Sequence, residues 1–381
     1  MQTVLDPTPT VPPIEPQPQP QPQPQTQGRA ASDITALVGN TPLLRLERIA
    51  RAFGVPPGVE VYAKAEWFNP GGSVKDRAAL YMVRDGERQG LLTPGKVILD
   101  ATSGNTGISY AMIGAALGYQ VQICLPSTAS PERRRLLELY GAEVVETPAE
   151  LGTDGAIAEA RRLYAAHPDR YFYPDQYNNP ANWLAHYHGT GLEIWQQTGG
   201  RVTHFVASVG TAGTFTGTSR RLKELNPAVW AVEVQPASPF HGLEGMKHMA
   251  SALVPGIYDP ALADQRVFVE TEHAQAMTRE LVRTEGILAG PSGGAAVLAA
   301  LALARTLEQG VVVTVLPDGG TRYLGDAFWQ DEALRLTLQA VEQAGLAELY
   351  GAPEPPAPFT VTDTTHSTHN KPHQGDSHER D

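Results

Sequence analysis

Between about residues 30 and 330 the chain alternates short apolar runs with longer segments of helical periodicity. The runs Val97–Asp100, Val121–Leu125, Val144–Glu146, His204–Ala207, Ala231–Val234 and Val311–Leu316 read as strands, and Asp154–Ala166 and Ala295–Leu307 as helices. Strands that are apolar along nearly their whole length, separated by helices, predict buried parallel sheets covered on both faces. The number of such units predicts two α/β domains sharing one cleft, and no short repeat of fixed period interrupts them.

The two ends of the chain break this pattern. Residues 1–30 are dominated by Pro and Gln, with strict alternation from Pro16 to Gln25, which favours solvated, extended polyproline conformations over a packed fold. Residues 336–381 are expected to form a helix and then a disordered His/Pro-rich tail. His366, His369, His373 and His378 lie in that tail without a rigid frame, so no metal site is expected.

Charge and cysteine content narrow the function classes. The 381 residues carry a formal net charge of -12, with both signs interspersed through the middle of the chain, which argues against nucleic acid or an anionic membrane surface as partner. The single cysteine, Cys124, sits inside an apolar run and reads as core, so disulfides and cysteine-based metal sites are excluded. No run is long and apolar enough to span a bilayer, and the N-terminus lacks a secretory pattern, so the expected compartment is the cytoplasm.

Four Gly-rich junctions carry the candidate chemistry. In Asn69-Pro70-Gly71-Gly72-Ser73-Val74-Lys75-Asp76-Arg77, Ser73 and Asp76 read as a capping box that starts a helix, placing Lys75 in its first turn. A cation near the positive helix end, with Arg77 nearby, is disfavoured, which lowers its pKa and suits it to Schiff-base chemistry. Thr102-Ser103-Gly104-Asn105-Thr106-Gly107 follows a strand and opens a helix, a place suited to a carboxylate, with Asn105 offering a neutral amide. Gly210-Thr211-Ala212-Gly213-Thr214 is a second strand–helix loop whose small residues and hydroxyls suit a phosphate. It lacks the lysine of a Walker A loop and the G-x-G-x-x-G spacing of a dinucleotide site, so a cofactor monophosphate is the expected guest. Gly290-Pro291-Ser292-Gly293-Gly294 places one hydroxyl, Ser292, at a helix start. A lysine, a monophosphate cradle, an amide and a hydroxyl at the mouth of one sheet system describe a site for pyridoxal 5′-phosphate.

These segments resemble the cysteine synthase and cystathionine β-synthase family of pyridoxal-phosphate enzymes, fold type II. Leu37-Val38-Gly39-Asn40-Thr41-Pro42-Leu43, Asp175-Gln176-Tyr177-Asn178-Asn179-Pro180 and Thr190-Gly191-Leu192-Glu193-Ile194-Trp195 add to the match, which runs from about Ile34 to Trp329. The Lys75 segment and Asn182-Trp183-Leu184-Ala185-His186-Tyr187 are most similar to the B-type cysteine synthases.

The resemblance implies a two-domain fold of mostly parallel sheets flanked by helices, with the cofactor in the interdomain cleft. The expected smaller domain is 69–179, holding the substrate carboxylate loop, and the larger is 31–68 plus 180–335, holding the phosphate loop. The implied reaction is β-replacement on O-acetyl- or O-phospho-L-serine with sulfide or another sulfur donor. Lys75 would carry the cofactor and remove the α-proton, and Gly210, Thr211, Ala212, Gly213 and Thr214 would hold the phosphate. Asn105 would meet the ring oxygen, and Ser292 the pyridine nitrogen as a neutral partner. Thr102, Ser103, Gly104, Thr106 and Gln176 would hold the substrate carboxylate. Lys247 falls where B-type relatives carry an arginine and is expected to reach an anionic leaving group or sulfur donor. A homodimer is implied. The alternative is cystathionine synthesis from serine and homocysteine, although no Cys-Pro-Trp heme segment or paired regulatory module is present. Behind it stand a serine or threonine dehydratase and a non-catalytic scaffold.

Overall fold

The computed structural model describes residues 31–102 and 104–334; the expectations for both tails and for Ser103 lie outside the described residues. The strands are β1 (Leu43–Arg45), β2 (Val59–Ala65), β3 (Val97–Ala101), β4 (Gln120–Pro126), β5 (Glu143–Thr147), β6 (Tyr171–Phe172), β7 (His204–Ser208), β8 (Trp230–Pro236), β9 (Gln265–Val269) and β10 (Gly310–Leu316). They form a six-stranded sheet, β1-β2-β10-β7-β8-β9, and a four-stranded sheet, β5-β4-β3-β6. Every pairing is parallel except that of edge strand β1 with β2, where Leu43 faces Lys64.

The helices are α1 (Glu47–Ala52), α2 (Lys75–Arg88), α3 (Asn105–Leu117), α4 (Pro131–Leu139), α5 (Gly152–Ala166), α6 (Pro180–Ala185), α7 (Gly191–Gln197), α8 (Gly213–Leu225), α9 (Thr271–Glu285) and α10 (Pro291–Ala304). Between α6 and α7 the chain stays helical through a π turn, His186–Thr190. All fourteen residues of α10 are buried, as an apolar Ala/Leu helix enclosed by its neighbours requires. That helix starts four residues before the periodicity predicts, because Pro291 can occupy its first turn without losing a hydrogen bond.

The Lys75 turn departs from the predicted capping box. Ser73 Oγ does accept from the Lys75 N–H, at 3.3 Å, but no side chain caps α2, whose N-cap residue is Val74. Asp76 instead accepts from the Gly71 N–H at 2.6 Å and from the Ser109 hydroxyl of α3 at 2.5 Å. Its carboxylate folds the Pro-Gly-Gly bend back onto the helix and ties α2 to α3. Burial pushes the Asp76 pKa up to about 6, against these hydrogen bonds.

Candidate active site

A cavity opens at the carboxyl ends of β3, β7 and β10, where an α/β fold places its ligands. It is lined by Lys75, Thr102, Asn105, Thr106, the whole 210–214 loop and Ser292, so residues drawn from four separate junctions meet around one space. A second, larger cleft adjoins it, shares Lys75, Thr102, Thr106, Gly210 and Thr211, and adds Gln176 and Lys247.

Lys75 is the one amine among the residues common to both. Burial lowers its pKa, and the negative charges of Asp318 and Glu66 work against that shift. The expected contribution of Arg77 is corrected. Its guanidinium turns into a buried network, with Nε 2.7 Å from Glu66 Oε2 and Nη1 2.6 Å from Glu193 Oε1, while Lys64 Nζ lies 2.7 Å from Glu193 Oε2. Burial pushes Glu193 up, and its bonds to Arg77 and Lys64 overcome this and bring it to about 2. Arg77 thus welds α2 to α7 and is spent on those carboxylates.

The 210–214 loop is shaped for an anion. Ala212 has φ +67°, a left-handed turn at the start of α8, and no side chain caps that helix. The uncapped N–H groups and the helix dipole favour negative charge there. Thr211 Oγ1 accepts from Asn182 Nδ2 at 3.1 Å, and Thr214 Oγ1 lies 3.3 Å from His186 Nε2. A Cβ on Gly210 would come within 2.0 Å of the Gly245 carbonyl oxygen, so only glycine lets the backbone pass this close. No Lys or Arg stands in the loop, which suits a monoester phosphate held by N–H groups and hydroxyls. The residues present therefore fit pyridoxal phosphate: an amine of lowered pKa, an uncapped helix start, an amide and a neutral hydroxyl share one cavity.

The loop after β3 is braced from within. Thr102 Oγ1 accepts from the Gly104 N–H at 2.9 Å, Thr106 donates to Gln176 Oε1 at 2.8 Å, and Gln176 Nε2 donates to the Ala101 carbonyl at 2.6 Å. Lys247 stands apart from the cofactor cavity. Its Nζ is 3.3 Å from Asp154 Oδ1 and 5.4 Å from the Tyr177 ring centre.

Sequence reasoning missed a fifth junction. Pro317, Asp318 and Tyr323 line the cavity after β10, and Arg133 and Glu244 close its rim as an ion pair. The signal for the fifth junction was available: Pro317-Asp318-Gly319-Gly320 directly follows a recognised strand.

Two mostly parallel sheets with a buried lysine and Gly-rich strand–helix loops meeting at one cavity define a fold type II pyridoxal-phosphate enzyme. The family described as pyridoxal-phosphate dependent enzyme matches residues 34–318, and the chain belongs to it. It is 52% identical over 308 residues to a cysteine synthase of Aquifex aeolicus, covering 80% of this chain and 94% of that one. It is 43% identical to cysteine synthase B of Escherichia coli, over 79% of this chain and 97% of that protein. The crystal structure of a cysteine synthase from Entamoeba histolytica aligns with a TM-score of 0.79 at 34% identity, covering 85% of this chain and 98% of that one.

Proposed function

We propose that this chain makes L-cysteine by β-replacement on an O-activated L-serine, O-acetyl- or O-phospho-L-serine, with sulfide or another sulfur donor. The observation that carries the reading is the convergence of Lys75, the 210–214 loop and Thr102, Asn105 and Thr106 on one cavity. The cysteine synthases to which the chain is similar support the same reaction. Pyridoxal phosphate supplies an electron-withdrawing ring conjugated to the substrate Cα.

The roles of individual residues follow from their chemistry. Lys75 Nζ, its pKa lowered by burial, takes the proton from the substrate Cα. The loop Gly210, Thr211, Ala212, Gly213 and Thr214 holds the cofactor phosphate, Asn105 its ring oxygen and Ser292 its ring nitrogen. Thr102, Ser103, Gly104, Thr106 and Gln176 hold the substrate carboxylate, and Lys247 faces the leaving group or sulfur donor from the adjoining cleft. In this reading the carboxylate loop belongs to a smaller domain, 69–179, and the phosphate loop to a larger one, 31–68 plus 180–335. The proposed assembly is a homodimer, on the sequence resemblance, and the proposed compartment is the cytoplasm. Among the described residues no helix is long and apolar enough to cross a membrane.

The test is product analysis with the cofactor-loaded protein. Cysteine forms from sulfide with O-acetyl- or O-phospho-L-serine, Lys75→Ala abolishes it, and serine with homocysteine yields little cystathionine. Cofactor-loaded protein that makes cysteine from neither donor overturns the reading.

A further inference from the structure

The junction after β10 contains a carboxylate with no assigned task. Asp318 is 1% exposed and lines the cavity beside Lys75. Its Oδ2 accepts from Asn105 Nδ2 at 2.7 Å and from the Tyr323 hydroxyl at 2.8 Å, while Oδ1 is buried without a partner. A buried carboxylate oxygen left unpaired costs stability, so its retention beside the lysine needs a reason.

Asn105 is gripped at both ends. Arg322 Nη1 donates to Asn105 Oδ1, and Arg322 Nη2 donates to the Gly71 carbonyl of the Lys75 bend. The amide therefore has its oxygen toward a guanidinium and its nitrogen toward a carboxylate. Turned over, it would set oxygen against carboxylate and N–H against cation, so the two charges fix its orientation. One N–H of the amide is left for a ligand in the cavity. Of the two negative charges that favour the protonated form of Lys75, Asp318 acts more strongly than Glu66. The other charged or titratable groups around this carboxylate and Lys75 are Arg322 and Tyr323 on the turn of Asp318, Arg133 over the Tyr323 ring from α4, Glu66 ahead of α2, Asp76 on α2 and the buried His186 of the π turn.

We propose that Asp318 is a positioning residue of the cofactor site, which aims the Asn105 amide as a donor into the cavity and supplies the counter-charge to the Lys75 nitrogen. This rests on the reading of the cavity as the pyridoxal-phosphate site.

The test has two arms, both on substrate-free holoenzyme. In the first, the visible absorption of the cofactor, which responds to protonation of the Lys75 nitrogen, is titrated with pH. Asp318→Asn keeps shape and an acceptor for Asn105 but removes the charge, so the transition is expected at least one pH unit lower than in the wild type. In the second, cofactor Kd is measured for Asp318→Ala, Asn105→Ala and the double variant, each with its melting temperature compared before loading. Asp318→Ala weakens binding about tenfold when Asn105 is present and hardly at all when it is already absent. An unshifted titration in Asp318→Asn, or effects that simply multiply in the double variant, overturns the proposal. If Asp318→Ala does not fold, the cycle is run with Asp318→Ser, whose shorter side chain withdraws the acceptor from Asn105. Wild-type protein that binds no cofactor sinks the reading of the site itself, a different result from either failure.

Discussion

Arg133 of α4 and Glu244, in the segment after β8, join as an ion pair across the rim of the cofactor cavity. Lys247, three residues on, pairs with Asp154 of α5 in the opposite sense. The segment 244–247 is thus fastened at two points, by its anion to one helix and by its cation to another. The Arg133 stem also packs over Gly104, where an added Cβ would stand 2.4 Å from its Cδ.

The rim pair is half open to water on the Glu244 side, so its coupling energy is expected at about 0.5–1 kcal/mol, shrinking as salt is raised. Glu244→Gln and Arg133→Met each lower kcat/KM, because the rim then admits water, and a double-variant cycle at low and high salt reads the coupling. Unchanged kinetics in both variants refutes a role for the rim.

Lys247 provides a test of donor preference. Lys247→Ala is expected to raise KM for O-phospho-L-serine roughly tenfold, the loss of about one charge-assisted hydrogen bond, and to alter O-acetyl-L-serine less than twofold. Asp154→Asn frees the ammonium and is expected to favour the phosphorylated donor. Equal effects on the two donors contradict this assignment.

Gly210 tests the anion cradle. Its Cβ would strike a backbone carbonyl rather than a movable side chain, at 2.0 Å from Gly245 O. Gly210→Ala therefore shifts the loop, and cofactor affinity falls at least tenfold in a fluorescence titration. Alanine at Gly118, whose added Cβ meets nothing within 4 Å, leaves affinity intact although its φ of +82° costs some stability.

Asp100, at the end of β3, gives stability a pH signature. Burial pushes its pKa up to about 7, with its Oδ2 unpartnered and Tyr110, Tyr173, Tyr177, Asp175 and Cys124 around it. A carboxyl whose folded pKa is raised stabilises fully below about pH 4 and loses that contribution as pH climbs through 7. The loss is about 4 kcal/mol for some three pH units. Relative to Asp100→Asn, the wild type should lose stability from pH 5 to pH 8 in urea titrations. Parallel pH profiles of the two proteins disprove it.

Strands β3, β4, β5, β7, β8 and β10 and all four Gly-rich junctions were legible because apolar runs and small-residue turns have short-range causes, whereas β1, β6 and β9 went unrecognised. Strand β2 was missed as well, since Glu60 and Lys64 interrupt it; Lys64 is buried with its charge met by Glu193 and its ammonium bonded to the Thr41 carbonyl and Gln197 Oε1, all but Thr41 far along the chain. The fate of Asp76 and Arg77 was equally hidden. Both sit where a local capping or dipole argument applies, yet long-range partners, Ser109 for one and Glu193 for the other, decide what they do. Lys75 was found by its turn, but the leading cause of its lowered pKa is enclosure by the assembled fold.

The π turn at His186–Thr190 makes the length of this stretch as constrained as its composition. Removing one residue there would relax the turn to ordinary α pitch and rotate α7 by about 100° against α6. Glu193 would swing off both Arg77 and Lys64, stranding two cations in the interior, and the base of the lysine's own helix would come loose. A one-residue deletion that a surface loop would absorb is, at this point, expected to be as damaging as losing the carboxylate itself.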